Sequence, residues 1–175
     1  MRAYKLLISE EKIASKVDDL ARRIASGMGG STTILVGLLT GSVVFLSDLM
    51  RRLNHHGMSP QIDFMIISSY KDSTDSPGEI EIVQNVRIDV KGKTVLLVDD
   101  IIDTGRTMSA ARRLLYEKGA SSVVICAFLD KPSRRKADIK PDYYGFAIDD
   151  QFVVGYGLDA DNRYRGLPFI ATLEE

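Results

Sequence analysis

Cysteine is nearly absent. Cys126 stands alone, inside the apolar run VVICAF. A lone cysteine makes no intrachain disulfide, which excludes a disulfide scaffold and fits a reducing cytoplasm. Among such neighbours it reads as a small core residue. An excess of one charge is lacking too: 23 basic against 24 acidic residues leave a formal net charge of -1. That gives no general attraction to nucleic acid or to an acidic membrane. No apolar run approaches the ~20 residues needed to span a bilayer, and the first residues, MRAYKLLISEEKIASK, lack the apolar stretch of a signal peptide. No internal repeat or low-complexity segment occurs. The only histidines, His55 and His56, have no second cluster of metal ligands beside them and read as surface residues. The expectation is a soluble, cytoplasmic, single-domain protein of 175 residues with no nucleic-acid or membrane partner.

What is present is a regular alternation. Ser9-Glu10-Glu11 supplies a capping hydroxyl and acids for the positive first turn of a helix. Ile13, Val17, Leu20 and Ile24 then recur at helical spacing, and GMGG ends the pattern. Residues 32–39 (TTILVGLL) read as a buried strand, 43–53 as a helix, and 62–69 (IDFMIISS) as the next strand. Residues 70–78 (YKDSTDSPG) read as a mobile surface loop. EIEIV and VRIDV, flanking Gln84-Asn85, suggest a hairpin. TVLLV (94–98) is another buried strand, and the segment from about Thr104 to Lys118 a helix stopped by Gly119. SVVICAFL (122–129) is a strand; FAI and FVVGYGLD are later candidates. Helices alternating with continuous apolar strands predict an α/β fold, a mainly parallel sheet covered on both faces. Its ligands belong in the crevice at the carboxyl ends of the strands.

One stretch stands at such an end. In VLLVDDIIDTGRTM (95–108), Asp99, Asp100 and Asp103 crowd together after a buried strand, and Thr104-Gly105-Arg106-Thr107 follows. Neighbouring strand residues point to opposite faces, so Asp99 and Asp100 can both reach a ligand only where the strand is ending. Adjacent carboxylates repel, and a cation or a row of sugar hydroxyls relieves that repulsion. A helix opening at Asp103–Thr107 turns unpaired N–H groups and a positive dipole end toward an anion. Gly105 permits close backbone approach, and Thr104 and Thr107 add hydroxyls. The string suits a sugar phosphate. Any one of these residues, taken alone, equally fits a helix cap or a solvated acid.

VLLVDDIIDTGRTM resembles the phosphoribosyl-pyrophosphate signature of the type I phosphoribosyltransferases. Its Ile-Ile-Asp form resembles the branch acting on 6-oxopurines, and the similarity runs over roughly residues 35–169. The resemblance implies a single domain with a core over roughly 30–135 and a small hood over roughly 1–10 and 140–175. It implies that Asp99 and Asp100 hold the ribose hydroxyls, that Asp103 to Thr107 cradle the 5′-phosphate, and that Asp103 is the catalytic acid/base near purine N7. GLLTGSVVFLSDL (37–49) is similar to the family's pyrophosphate loop, which places Leu39, Thr40 and Gly41 there and makes Leu39–Thr40 the bond to examine for a cis peptide. Thr40 departs from the Lys or Arg usual at that place, which removes a positive charge. Ser69-Tyr70 resembles the head of the flexible loop that closes over the site.

By the same resemblance Lys131 donates to the purine 6-oxo group. Arg135 lies near that edge, although KPSRRK reads equally as a solvated basic turn. Phe152 stacks on the base, Val153 offers its backbone, and Arg165 contacts pyrophosphate. Mg2+ is the implied cofactor, with Asp99, Asp100 and Asp159 as its partners. A homodimer or homotetramer is implied as well. The implied activity is purine salvage: a 6-oxopurine (hypoxanthine or guanine) and 5-phosphoribosyl 1-pyrophosphate give the nucleoside monophosphate and pyrophosphate. Two alternatives remain, the first implied by the same resemblance. One is an RNA-binding regulator of pyrimidine genes on the same fold. The other is a phosphoacceptor receiver domain, whose acids would lie on separate strands.

Overall fold

A six-stranded sheet in the order β4-β3-β2-β5-β6-β7 forms the centre of the molecule. The computed structural model describes residues 4–29, 33–69 and 80–173. The strands of this sheet are β2 (Thr33–Leu39), β3 (Gln61–Ser69), β4 (Ile80–Gln84), β5 (Thr94–Ile102), β6 (Ser122–Asp130) and β7 (Tyr143–Ala147). All neighbours are parallel except β3 and β4. A separate sheet of β1 (Tyr4–Ile8), β9 (Ile170–Leu173) and β8 (Val153–Val154) is antiparallel, in the order β1-β9-β8. Among the described residues three α-helices pack on these sheets: α1 (Glu10–Met28), α2 (Val43–His55) and α3 (Arg106–Glu117). None of the described helices is long and apolar enough to cross a membrane.

The apolar strands are covered on both faces, as their continuous hydrophobicity requires. Leu35, Leu96, Val98, Cys126 and Phe128 face α1 and α2, which contribute Val17, Leu20, Ile24, Phe45, Leu49 and Leu53. Ile34, Val36, Val95, Leu97, Val123 and Ile125 face α3, with Met108, Ala111 and Leu115. One residue's step along a strand switches the face, which is the two-residue period of the pleat. Ser9 caps α1 through the Lys12 N–H. Gly119, at φ 88°, ends α3 as the sequence suggests, and Ala120 N–H reaches back to the Leu115 carbonyl at 3.0 Å. Cys126 is fully buried, and burial pushes its thiol far above the ordinary range.

Four local expectations are corrected. EIEIV and VRIDV do not pair. EIEIV supplies β4, which pairs with β3, while residues 86–90 are irregular. The cause is Asp63, a buried acid inside β3, whose carboxylate accepts the backbone N–H groups of Arg87 at 2.6 Å and Ile88 at 2.8 Å. Those donors are thereby lost to any hairpin ladder. FVVGYGLD is not one strand. After Val153–Val154 it turns, with Gly155 at φ 97°, Tyr156 at 51° and Gly157 at 101°. FAI gives a strand only through Ala147, the end of β7. His56 is not a free surface residue: its ring is 22% exposed, and Nε2 lies 3.2 Å from Asp18 Oδ1 of α1. The segment 70–78, including Tyr70, lies outside the described residues; Ser69 is the last residue of β3.

Candidate active site

The order of the large sheet places the site. From β2 the chain moves outward to β3 and β4, then returns to lay β5 on the other side of β2. The strand order reverses between β2 and β5, and an open parallel sheet has its ligand crevice at such a point. The two stretches that diverge there are Leu39-Thr40-Gly41, leaving β2, and the end of β5 from Asp99 with the turn that follows it.

They touch. A Cβ on Gly41 would collide with the Asp100 carboxylate, so only glycine allows this approach. The Leu39–Thr40 bond is cis. A third segment closes in from the turn after β8. A Cβ on Gly157 would strike the Gly41 carbonyl. Arg165 stiffens that turn: Nη1 donates to the Gly157 carbonyl at 2.7 Å, and Nη2 pairs with Asp159 Oδ1 at 2.8 Å. The Arg165 charge is also felt at Asp100. Leu39, Thr40, Gly41, Asp100, Asp159 and Arg165, predicted from three separate stretches, therefore belong to one neighbourhood.

β5 continues to Ile102, beyond the acid pair, rather than ending before it. The carboxylates take up neighbouring backbone donors: Asp99 Oδ1 accepts the Asp100 N–H at 3.0 Å, and Asp100 Oδ1 accepts the Ile101 N–H at 2.8 Å. Burial pushes Asp99 well above the usual carboxylate range, and the adjacent charge of Asp100 adds to it. Burial raises Asp100 as well, against the opposing effects of its hydrogen bonds and Arg165. The pair carries a shared electrostatic penalty that hydroxyl donors or a cation would offset.

Three residues on from Ile102, Gly105 adopts φ 80°, and α3 starts at Arg106. A Cβ there would lie 2.6 Å from Ile139 and 2.9 Å from Arg135, so backbone geometry and packing both demand glycine. The first N–H groups of α3 have no partner in their own helix, and they follow directly on Asp103, Thr104 and Gly105. Arg106 itself is exposed and lines an outer groove with Ile82, Ser109 and Arg113.

The predicted base-side residues follow the ends of β6 and β7 in the chain. Lys131, just past β6, is 7% exposed, and its N–H donates to the Ile102 carbonyl at 3.0 Å. Phe152 is 62% exposed, a large ring presented to solvent instead of the core. Val153 is buried and pairs with Thr172 in the small sheet. Arg135 is not a solvated turn residue. Its Nη2 pairs with Asp130, and its buried Nη1 has no hydrogen-bond partner among the described residues. Two connections were missed from sequence. Arg134 reaches both Asp103, at 3.1 Å, and Asp150, at 3.4 Å; nothing in KPSRRK distinguishes it from its neighbours. Tyr156 donates to Asp48 Oδ2 at 2.8 Å, tying the glycine turn to α2.

Among the described residues no three His, Cys, Asp or Glu side chains form a metal-ligand group. Asp159 pairs with Arg165 and accepts the Asn162 N–H at 2.8 Å. The acid pair does present hard oxygen donors. That suits magnesium, which is commonly held by one or two carboxylates together with substrate phosphates.

Residues 6–161 match the phosphoribosyl transferase domain family. The hypoxanthine-guanine phosphoribosyltransferase of Bacillus subtilis is 43% identical over 170 residues, 97% of this chain and 93% of that protein. The chain belongs to the hypoxanthine-guanine phosphoribosyltransferases. A crystal structure of the Staphylococcus aureus hypoxanthine phosphoribosyltransferase superposes with a TM-score of 0.91 at 40% identity, covering 97% of this chain and 91% of that one. A point mutant of the Trypanosoma cruzi hypoxanthine phosphoribosyltransferase, solved as a ternary substrates complex, gives 0.91 at 30% identity, covering 99% and 96%. For a hypoxanthine-guanine phosphoribosyltransferase the regulator and receiver alternatives are not favoured. The three acids of the signature, which a receiver would spread over separate strands, fall here on one strand and its following turn.

Proposed function

We propose that the protein joins a free 6-oxopurine, hypoxanthine or guanine, to 5-phosphoribosyl 1-pyrophosphate, forming the nucleoside 5′-monophosphate and pyrophosphate. The observation that supports this most is the coincidence at the β2/β5 reversal. A half-buried acid pair, a backbone loop against it, and a helix N-terminus shortly after it fit a ribose, a pyrophosphate and a 5′-phosphate in one ligand.

In this reading Asp99 and Asp100 accept from the ribose hydroxyls, and the amides after Asp103 receive the 5′-phosphate. Leu39, Thr40 and Gly41 offer backbone groups to the pyrophosphate, with Arg165 supplying charge. As pyrophosphate leaves, positive charge develops at ribose C1, and the purine attacks through N9. Asp103 takes the proton by way of N7. Phe152 stacks on the base, Val153 meets its edge, and Lys131 donates to the 6-oxo group as a point charge. A magnesium ion, when bound, supplies charge neutralisation on the leaving group; Asp99 and Asp100, with substrate oxygens, would hold it. Self-association as a dimer or tetramer and a cytoplasmic location belong to the same reading.

The test is direct. Incubation with magnesium, phosphoribosyl pyrophosphate and each free base in turn should yield the monophosphates of hypoxanthine and guanine. Asp103→Asn should lower kcat by ~10²-fold or more with little change in nucleotide affinity. No nucleotide from any 6-oxopurine would refute the activity; near-normal turnover in the variant would remove Asp103 from its role.

A further inference from the structure

Arg134 sits in the corner between β6 and β7, on the short 3-10 turn Pro132–Arg134. That corner is laced to the two carbonyls that flank Asp103. Lys131 N–H donates to Ile102 at 3.0 Å, and the N–H groups of Lys136 and Ala137 donate to Thr104 at 3.0 and 3.1 Å. Arg134, between those anchor points, therefore overhangs Asp103. Its Nε meets Asp103 Oδ1 at 3.1 Å, and its Nη1 meets Asp150 Oδ2 at 3.4 Å. Asp150 lies two residues before Phe152. One guanidinium thus joins the acid at one side of the crevice to the segment that carries the exposed ring.

We infer that Arg134 is a positioning residue for the purine: it holds Asp103 by one oxygen, leaves the other for the base, and fixes the Asp150–Phe152 segment opposite. The inference rests on the reading of Asp103 as the acid/base. The Arg134 side chain is 46% exposed, and those of Asp103 and Asp150 are 40% and 53% exposed. Ion pairs so open to water contribute little to stability. What Arg134 supplies is direction, because an unpaired aspartate at a turn samples several rotamers, and misplacement of a reacting group is costly in rate. A guanidinium holds two carboxylates in set directions with its fixed planar fork; an ammonium is a point charge whose rotatable donors impose no such geometry.

Arg134→Met is expected to lower kcat by ~10-fold or more and to raise KM for the purine. KM for phosphoribosyl pyrophosphate should stay within ~2-fold, and the melting temperature within a few degrees. Arg134→Lys should recover part of kcat but not the purine KM. In an Asp103→Asn background, Arg134→Met should have little further effect on kcat, since the two act as a unit. A wild-type kcat and purine KM in Arg134→Met would overturn the inference. So would equal losses of kcat in both backgrounds, or full recovery of both constants with lysine. The parent reading fails separately, by normal turnover of Asp103→Asn alone, and the positioning role then falls with it.

Discussion

Replacing Asp63 with alanine should destabilise the protein severely while leaving its chemistry intact. Asp63 is 8% exposed and lies within β3. Its carboxylate accepts three backbone N–H groups: Phe64 at 2.8 Å, Arg87 at 2.6 Å and Ile88 at 2.8 Å. Hydrogen bonds to a charged group contribute ~1.5–3 kcal/mol each. Alanine leaves three donors unmatched, but Arg87 is exposed and its N–H can turn to water, so the expected loss is ~3–5 kcal/mol. For a chain of this size that is a fall in melting temperature of ~6–20 °C. The sign with pH follows from the carboxyl. Burial alone would raise it, but the three N–H bonds and the Arg87 charge hold it below its ordinary value of 3.8. The folded form therefore gains stability above that value and loses it as pH falls through the depressed one. Denaturant unfolding of both proteins at neutral pH and near pH 3 tests this: the difference should be largest at neutral pH and shrink in acid. A difference below ~1 kcal/mol, or one independent of pH, would refute the reasoning. kcat measured well below the variant's melting point should match wild type, because the crevice lies at the opposite ends of the strands.

Asp99→Asn should stabilise the unliganded protein at neutral pH. Its folded carboxyl is raised by burial and by Asp100, so wild-type stability falls as pH climbs from the ordinary carboxylate value through the raised one. Melting curves from pH 4 to 8 should show the two proteins converging in acid. Gly41→Ala should reduce kcat/KM for phosphoribosyl pyrophosphate by ~10-fold or more, since the methyl group displaces the Asp100 carboxylate; steady-state kinetics at fixed purine would show it. Phe152→Ala should weaken purine and nucleotide affinity by ~1–3 kcal/mol with little change in melting temperature, because the ring is largely exposed; calorimetric titration with the monophosphate measures it.

The parts of the fold most legible in sequence were those governed by local pattern. β2, β5 and β6 are continuous apolar runs, and α1 shows its cap and period without help from tertiary structure. β1 and β9 were not legible: each is short and they pair with one another from opposite ends of the chain. The false hairpin came from treating 86–90 as a strand on its alternation alone. The warning was Asp63, a single acid inside an otherwise apolar strand, which needed donors from somewhere. At the site, the acid pair and Gly105 could be read because one strand and one turn contain them. Arg134 could not. Its partner Asp103 is 31 residues away, and only the lacing of the corner to Ile102 and Thr104 brings them together.

The burial of Cys126 gives the protein a built-in reporter of its own opening. The thiol lies mid-sheet on β6, between β5 and β7, with no exposed surface. No thiol-modifying reagent can reach it until the cover of α1 and α2 lifts from that face of the sheet. Its labelling rate under native conditions consequently measures how often that helical layer opens. Ligands that close the crevice should slow that clock in proportion to how tightly they bind.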